Sequence, residues 1–442
     1  MAERTTSRAR QRRSAIMVAG GLVAAVATAC PPTPATTSVA TIEVVGATDL
    51  VGFTAEAYPD RPTVVLLDAA GAPVAGASVR FQLTAIPPAQ PVISSRARIS
   101  FHGGTGAGTA TFDTTTDANG RATATPVANE WVGTVGVRAT AETTTGARFV
   151  TFSLTNRIRP NPGTFPTTPV PGIVDPEFDG SNIWVASLVN GTVSKIRARD
   201  GALLGTYSAG SGPDGIAIDA DRVWVATCDG IVALDRETGV ELARYSPDAC
   251  YARVVRTPTR LWVVSKAGVA AEYDPATGEP RVAQPVGVGV EDVLYDGRSI
   301  WVSATPGQEL TQIDDASGVV VSRTQFQCPA GLADGGDVIY VASPCFGLYT
   351  CLRKSDRANT ADVVVAPPSD DVVGLLSEGT DLWATVAKLR YGGTGELLRI
   401  RRSDGQVLDT IPAGTTPLRL TTDGSNVWAA ALNDGKLVSV VK

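Results

Sequence analysis

The sequence predicts an all-β protein in which an Ig-like β-sandwich is followed by a seven-bladed β-propeller. Short β-branched runs, separated by Gly, Asp, Asn and Pro, fill the chain. No long stretch has the period of a helix. A unit of about 40 residues recurs through the C-terminal two-thirds, which is the period of a propeller blade. Of the 442 residues, 43% are hydrophobic and 19% charged, so a packed core is possible.

Charge and histidine content exclude several classes of function. The formal net charge of -6 predicts no nucleic-acid partner, because such a partner requires a basic face. The only histidine in the sequence is His102. A Ser-His-Asp triad or a His-rich metal site would have to be built on this residue alone. We therefore predict no catalytic centre, no metal site and no cofactor.

The N-terminus has the pattern of an export signal. Five arginines lie within residues 1–14, and the apolar run that follows, 15–27, is too short to span a bilayer as a helix. Small residues at 27–29 precede Cys30, and this pattern resembles a bacterial lipobox, although Ala27 stands where the family usually has Leu. The resemblance implies a signal peptide over 1–29 and lipidation of Cys30. The alternative is ordinary cleavage after Ala29, which leaves Cys30 as a thiol.

The first folded unit follows a Pro/Thr-rich segment, 30–40, which is typical of a flexible tether. Between 41 and 157, runs such as 79–83 and 121–125 alternate apolar and polar residues. About seven such strands predict the Ig-like sandwich.

Three stretches of this unit carry a family resemblance. "VVLLDAAGAPVAGASVRFQL", "TTDANGRATATP" and "GTVGVRATA" resemble the invasin/intimin-type (group 1) bacterial Ig-like domain. The resemblance implies a rigid spacer or adhesive stalk on the cell surface. The segment before the second stretch is longer than in that family, which indicates a loop or an extra hairpin, with His102 at its rim.

The repeat is defined by an aromatic residue that follows an apolar one. The seven anchors are Trp184, Trp224, Trp262, Trp301, Tyr340, Trp383 and Trp428. Four short strands per unit predict seven blades over 163–442, with the aromatic residues packed between blades. The last unit has only three strands, so we expect residues 163–172 to supply its fourth and close the ring.

An acidic residue usually lies five positions before the anchor. These residues are Asp179, Asp219, Asp296, Glu378 and Asp423. We expect them to accept backbone hydrogen bonds in tight turns. One acidic residue per turn is too few for Ca²⁺, which takes six to eight oxygen ligands.

The repeat region also resembles a known family. "GPDGIAID" followed by "RVWVATCDGIVALDRETGVELARYS" is similar to YVTN-type surface-layer propellers, and the resemblance covers nearly all of 163–442. It implies an extracytoplasmic protein with a binding function. Streptogramin B lyase is similar in architecture and is usually described as using a histidine and Mg²⁺. No histidine lies in 163–442, which argues against that activity.

Positions nine and ten before the anchor should lie at the mouth of the central channel. The candidate ligand-binding residues are Asp214, Arg253, Glu291, Asp292 and Arg419, with Tyr251 close to Arg253 in the chain and Asp175 in a less regular part of the repeat. Mixed charges around a concave mouth suit a peptide or polar ligand. The alternative is that they are solvated rim charges.

Five cysteines lie in the repeat region: Cys228, Cys250, Cys328, Cys345 and Cys351. An exported protein can form disulfides. We predict a Cys228–Cys250 bridge and one bridge among the other three, which leaves one cysteine unpaired.

Together these features predict a non-enzymatic lipoprotein at the periplasm or cell surface, held to the membrane by its N-terminal lipid. Its sandwich would present the propeller to an envelope protein, a peptide or a glycan. One alternative is a propeller lyase or hydrolase that uses Glu291 and Asp292. Another is a structural spacer without a ligand.

Overall fold

A computed structural model describes residues 38–84, 96–101, 109–166, 172–246, 248–388 and 393–442. These residues are mostly β-strand, with a 3-10 turn at Pro344–Phe346. No helix in this part of the chain has the length and hydropathy needed to cross a membrane. The predicted signal peptide, Cys30 and His102 lie outside the described residues.

The described N-terminal residues form ten strands in three sheets. They are β1 (Thr41–Val44), β2 (Asp49–Phe53), β3 (Thr63–Leu67), β4 (Ser78–Thr84), β5 (Ile99–Phe101), β6 (Thr111–Thr115), β7 (Arg121–Thr123), β8 (Pro126–Ala128), β9 (Gly133–Thr143) and β10 (Gly146–Arg157). The strand orders are β1-β3-β7, β2-β10-β9-β4-β6 and β5-β8. The strand expected over 121–125 ends at Thr123, and Pro126, which has no N–H to donate, begins a separate strand.

One hydrophobic core joins these sheets. Val64 and Leu66 of β3 share it with Phe81 of β4 and Val137 of β9, and all four side chains are fully buried. Such alternation of buried and exposed residues along each strand is what lets two sheets pack face to face. The β5–β8 pair accounts for two of the three strands beyond the seven expected.

The rest of the described chain forms seven four-stranded antiparallel sheets, numbered here in chain order. Sheet 1 contains β12 (Ile173–Phe178), β13 (Asn182–Ser187), β14 (Thr192–Arg197) and β15 (Leu203–Ser208); sheet 2 contains β16 (Gly215–Ile218), β17 (Arg222–Thr227), β18 (Gly230–Asp235) and β19 (Glu241–Tyr245). Sheet 3 contains β20 (Tyr251–Arg256), β21 (Leu261–Ser265), β22 (Val269–Tyr273) and β23 (Pro280–Pro285); sheet 4 contains β24 (Val290–Tyr295), β25 (Ser299–Ala304), β26 (Glu309–Asp314) and β27 (Val320–Gln325). Sheet 5 contains β28 (Leu332–Asp334), β29 (Val338–Ser343), β30 (Leu348–Arg353) and β31 (Asn359–Val364); sheet 6 contains β32 (Asp371–Glu378), β33 (Asp381–Ala387), β34 (Thr394–Arg401) and β35 (Val407–Thr415).

Sheet 7 combines the two ends of the repeat region. It contains β11 (Gly163–Pro166), β36 (Pro417–Thr422), β37 (Asn426–Ala431) and β38 (Lys436–Val441), in the order β11-β38-β37-β36. Gly163 pairs with Ser439 and Pro166 with Lys436. β11 therefore covers the edge of β38 that would otherwise be unpaired, which is the role expected for residues 163–172. Residues 167–171 of that segment lie outside the described part of the chain.

The first strands of the seven sheets form a closed ring. Each contacts the first strand of the next sheet, from β12 through β16, β20, β24, β28 and β32 to β36, and β36 contacts β12. We call the space inside this ring the central channel. The six tryptophan anchors are fully buried in clusters between or within sheets, and Tyr340 is 5% exposed. Packing of neighbouring sheets through these rings supplies the core.

Four of the tryptophans are held by the acidic residue five positions earlier. In Asp179, Asp219, Asp296 and Asp423, one carboxylate oxygen accepts two backbone N–H groups of the turn and the other accepts the indole N–H at 2.8–2.9 Å. We call this arrangement the Asp–Trp clip. It extends the expected turn role of these carboxylates, because each also satisfies a buried donor.

The two other sheets with a tryptophan anchor lack the clip. Trp262 donates to Asp315 of the next sheet at 2.8 Å, because Thr257 stands where the acidic residue would be. The Trp383 indole N–H has no acceptor among the described residues. Glu378, the acidic residue of that sheet, is bonded instead to Lys442 at 2.5 Å.

The two faces of the ring differ. In each antiparallel sheet the first and third turns lie at one end, and the second turn and the connection to the next sheet lie at the other. The N-terminal unit (residues 38–158) contacts the first of these faces, which we call the docked face. Val132 donates its backbone N–H to Gly180 at 2.9 Å, and Ser425 donates to the Ile158 carbonyl at 2.6 Å. The opposite face is called the open face.

A tryptophan between two arginines fixes the docking. The Trp131 ring lies 5.0 Å from the guanidinium carbon of Arg96, in its own domain, and 4.6 Å from that of Arg236 in sheet 2. Arg236 is fully buried, and Asp179 lies 3.7 Å away. Arg96 also forms an ion pair with Asp221 at 3.2 Å. Because Trp131 covers the buried guanidinium, docking of the N-terminal unit and solvation of Arg236 are linked.

Candidate functional site

A ring of seven equivalent residues surrounds the central channel, nine positions before each anchor. It contains Asp175, Gly215, Arg253, Asp292, Gly331, Gly374 and Arg419. A Cβ on Gly331 would lie 2.3 Å from the carbonyl oxygen of Val373, and one on Gly374 would lie 2.0 Å from that of Leu418. Neighbouring backbones therefore approach so closely that only glycine fits, and the long side chains of the ring extend over these positions.

β-Bulges aim several of the charged side chains into the channel. The pairing register shifts between Val174 and Glu177 in β12, and comparable shifts occur at the equivalent places in β20, β24 and β36. Asp175 sits at φ 51°, in the left-handed region that non-glycine residues rarely adopt. Bulges of this kind re-aim a side chain at the start of a strand.

The two arginines of the ring converge on one backbone carbonyl. Arg253 donates to Asp214 at 2.5 Å and, through Nε, to the carbonyl of Glu291 at 2.8 Å. Arg419 forms an ion pair with Asp292 at 2.5 Å and also donates to the Glu291 carbonyl. The structure therefore brings Asp214, Arg253, Asp292 and Arg419 together, with Arg419 reaching across the channel from sheet 7 to sheet 4.

Asp175 and Glu291 complete this cluster. Asp175 accepts the backbone N–H of Ile216 at 2.6 Å. Burial raises the pKa of Asp175 to about 6, although Arg253 and Arg419 act to lower it. Burial also raises the pKa of Glu291, whose contribution to the cluster is its carbonyl rather than its carboxyl.

Tyr251 does not join the charged cluster. It is 5% exposed, and its hydroxyl lies 2.7 Å from that of Tyr273, whose ring meets it edge-on at 6.3 Å. The register shift between Tyr251 and Arg253 reverses the alternation of faces, so the two side chains point to different sides of β20. The prediction that placed Tyr251 with the mouth residues is wrong in this respect.

The charges of the ring satisfy one another, which limits what they can bind. The arginines have carboxylate partners and their exposed fractions are 12% or less. Breaking either pair would leave an uncompensated buried charge. A ligand that paired with these charges would have to displace these contacts.

The four charged residues of the ring also line a cavity of about 350 Å³ in the channel. Its other lining residues include Glu177, aliphatic side chains such as Leu294 and Leu376, and Tyr295. Sequence reasoning missed Glu177. The available signal was its place in the repeat, where it is the only acidic residue seven positions before an anchor.

A larger cavity of about 700 Å³ lies between sheets 4 and 5 on the docked face. Arg298, Arg353, Lys354 and Arg357 line it with Asp296. Lys354 is paired with Asp296 at 3.2 Å and with Asp334 at 2.8 Å, and Arg353 with Asp356 at 2.8 Å. Much of its charge is therefore already neutralised by neighbouring side chains.

Two disulfides lie on the open face. Cys228 is bonded to Cys250 and Cys328 to Cys345. Each bridge joins the second turn of a sheet to a connection between sheets. Cys351 is unpaired and half-buried, and burial raises the pKa of its thiol. The described residues contain no group of three or more His, Cys, Asp or Glu that could hold a metal ion.

Comparison with known proteins gives a likeness of fold only. The sequence matches no protein-family model, and no curated protein matches it. Among solved structures, a chain of Kuenenia stuttgartiensis hydrazine synthase is similar, with a TM-score of 0.53 at 16% identity over 62% of this chain and 97% of that chain. The computationally designed Ika8 protein aligns with a TM-score of 0.48 at 13% identity, over 63% and 98% of the two chains.

Proposed function

We propose that this chain is an exported, non-enzymatic protein of the cell envelope, in which an Ig-like sandwich presents a seven-bladed β-propeller for binding. The seven four-stranded sheets and the closed ring of their first strands support the propeller interpretation. The common core of the sheets β1-β3-β7 and β2-β10-β9-β4-β6 supports the sandwich interpretation.

One observation carries the binding role: the sandwich packs on one face of the ring while both disulfides brace the other. The Cys228–Cys250 and Cys328–Cys345 bridges hold loops of the open face. Loops held in one conformation bind with less loss of entropy, which is a general property of preorganised sites.

The open face also exposes apolar side chains. Val189, Val288 and Phe346 are 70%, 55% and 41% exposed, and all three lie in turns or connections of that face. Exposed apolar side chains on rigid loops suit a protein or peptide partner, and the same face could accept a glycan through its polar loops. The partner would therefore be an envelope protein, a peptide or a glycan.

Membrane attachment is the second part of the proposal. Lipidation of Cys30 would hold the protein at the membrane, and 30–40 would act as the tether. The test is metabolic labelling with a radioactive fatty acid in the native host. We expect label in the wild-type protein and none in Cys30→Ser; label that persists in Cys30→Ser would refute lipidation at this residue.

Site-specific photo-crosslinking in the intact envelope tests the open face. A photoreactive residue at position 288 or 346 is compared with one at Leu204 or Leu242, which are 44% and 51% exposed on the outer strands β15 and β19. We expect adducts of one defined mass from 288 and 346 and not from the outer-strand controls. Identical adducts from all four positions, or none from the open face, would refute the proposed surface.

A further inference from the structure

The central cavity contains a carboxyl group that the fold itself does not use. The Glu177 side chain lines the cavity, and no hydrogen bond or ion pair joins it to another described residue. Asp175, two residues earlier, is bonded to the backbone of sheet 2. The Glu177 side chain is partly exposed to the channel, so it is available to a ligand there rather than held by contacts of the fold.

The repeat shows that no structural role demands an acid at this position. The equivalent residues of the other sheets are Ala217, Val255, Leu294, Ala333, Leu376 and Thr421. Six copies of the same unit therefore place an uncharged residue there. A charged residue at a position that is uncharged in the other six sheets, and that has no contact to compensate for it, indicates a functional role.

The basic residues around the cavity are already engaged. Arg253 and Arg419 are held by the carboxylates and carbonyl of the ring. Arg256 lies 3.3 Å from Asp219 and donates to the Arg260 carbonyl at 2.6 Å. None of them pairs with Glu177, so the cavity retains one unmatched acidic group.

The rest of the lining suits a cation with an apolar body. The Tyr295 ring lies in the cavity wall and can attract a cation through its π face. Leu294, Leu376 and Val255 supply an aliphatic surface. A volume of about 350 Å³ lies near the lower end of the range for small-molecule sites.

We propose that this cavity binds a small organic cation, a primary ammonium group carried on a short apolar chain. The ammonium group pairs with the Glu177 carboxylate, and the chain contacts the aliphatic wall of the same cavity, which Tyr295 also lines. The site is separate from the open face, so it stands or falls independently of the proposed partner.

The electrostatic surroundings agree with this assignment. Burial, together with the nearby carboxylates of Asp175 and Asp292, raises the pKa of Glu177 well above its usual range. These surroundings therefore disfavour the charged form of Glu177, and a bound cation would stabilise it.

Calorimetric titration of the full chain with hexylammonium chloride tests the proposal, with hexan-1-ol as the neutral isostere. We expect hexylammonium to bind and hexan-1-ol to bind about tenfold more weakly or worse, because it cannot form the charge-assisted contact. Glu177→Gln should weaken hexylammonium binding by about tenfold or more. Tyr295→Leu should weaken it by about fivefold.

Glu396→Gln is the matched control, because this half-buried carboxyl of the same region pairs with Lys388 and does not line the cavity. It should leave hexylammonium binding unchanged. Thermal unfolding supplies a second readout: Glu177→Leu should raise the melting temperature while removing binding. Unchanged binding in Glu177→Gln, equal binding of hexan-1-ol, no binding by the wild type, or a lower melting temperature for Glu177→Leu would each overturn the proposal.

Discussion

Replacing Glu378 with aspartate should install the missing Asp–Trp clip in sheet 6. In four other sheets an aspartate at this position accepts the indole N–H of the anchor at 2.8–2.9 Å, whereas the Trp383 N–H is buried without an acceptor. The longer Glu378 side chain turns outward to Lys442. The turn has the same length as in the clipped sheets, since Glu378 pairs with Asp381 across two residues.

Two opposing contributions determine the expected change in the free energy of unfolding. A buried N–H without an acceptor costs about 1–3 kcal/mol. Both members of the Glu378–Lys442 pair are 28% exposed, and losing such a pair costs about 0–1 kcal/mol. Glu378→Asp should therefore stabilise the repeat region by about 1 kcal/mol, which for a unit of this size raises the melting temperature by about 2 °C.

Thermal and urea unfolding, followed by tryptophan fluorescence, measure this change. Glu378→Gln is the control. It removes the carboxylate charge that pairs with Lys442, but it keeps the length of the side chain, so it does not install the short carboxylate that accepts the indole N–H. It should be neutral or slightly destabilising. If Glu378→Asp is no more stable than Glu378→Gln, the indole bond does not contribute as the other four sheets indicate.

Three further predictions concern the ring and the docked face. Arg419→Met leaves Asp292 as a buried charge without its partner and should lower the free energy of unfolding, measured in urea, by about 3–5 kcal/mol. A second change, Asp292→Asn, should recover most of this loss. Equal losses in the single and double variants would contradict the ion-pair argument. The pKa of Asp175 is raised from 3.8 to about 6 in the folded protein. Its contribution to stability is therefore fully present below pH 3.8 and is lost as the pH rises through about 6. Lowering the pH from 7.5 to 5 should therefore stabilise the wild type by about 1 kcal/mol more than Asp175→Asn, as measured by urea unfolding at both pH values. Trp131→Ala uncovers the Arg236 guanidinium and removes a cation–π contact worth about 1–2 kcal/mol. It should therefore speed proteolysis of the segment between β10 and β11. An unchanged cleavage rate would show that the contact does not hold the N-terminal unit in place.

Much of the architecture could be predicted because it depends on local period. Strand alternation and turn residues act over a few positions, so the spacing of aromatic residues predicted seven four-stranded units and the need for an early strand beside the last one. The structure has seven four-stranded sheets, with β11 beside β38. The extra β5–β8 pair could not be predicted, because the segment before it has no regular alternation.

The candidate site was only partly predictable. Counting back from the anchors located Arg253, Asp292 and Arg419 correctly around the channel, because equivalent positions of a repeat occupy equivalent places. Counting could not show that Tyr251 turns away at a bulge, nor that Glu177 has no partner. Both depend on local register and on which side chains reach each other.

The sequence by itself determined the all-β class, the number of repeating units and the closure of the last sheet by an early strand. These features depend on the spacing of hydrophobic residues and on turn residues, which act over a few neighbouring positions. Only the tertiary structure decided which charges meet. Arg419 contacts the carbonyl of Glu291 across 128 residues, and Trp131 covers Arg236 from another domain. Such contacts depend on the three-dimensional path of the backbone and on side-chain reach. No pattern of neighbouring residues encodes them, and for that reason the self-paired ring and the isolated Glu177 emerged only from the structure.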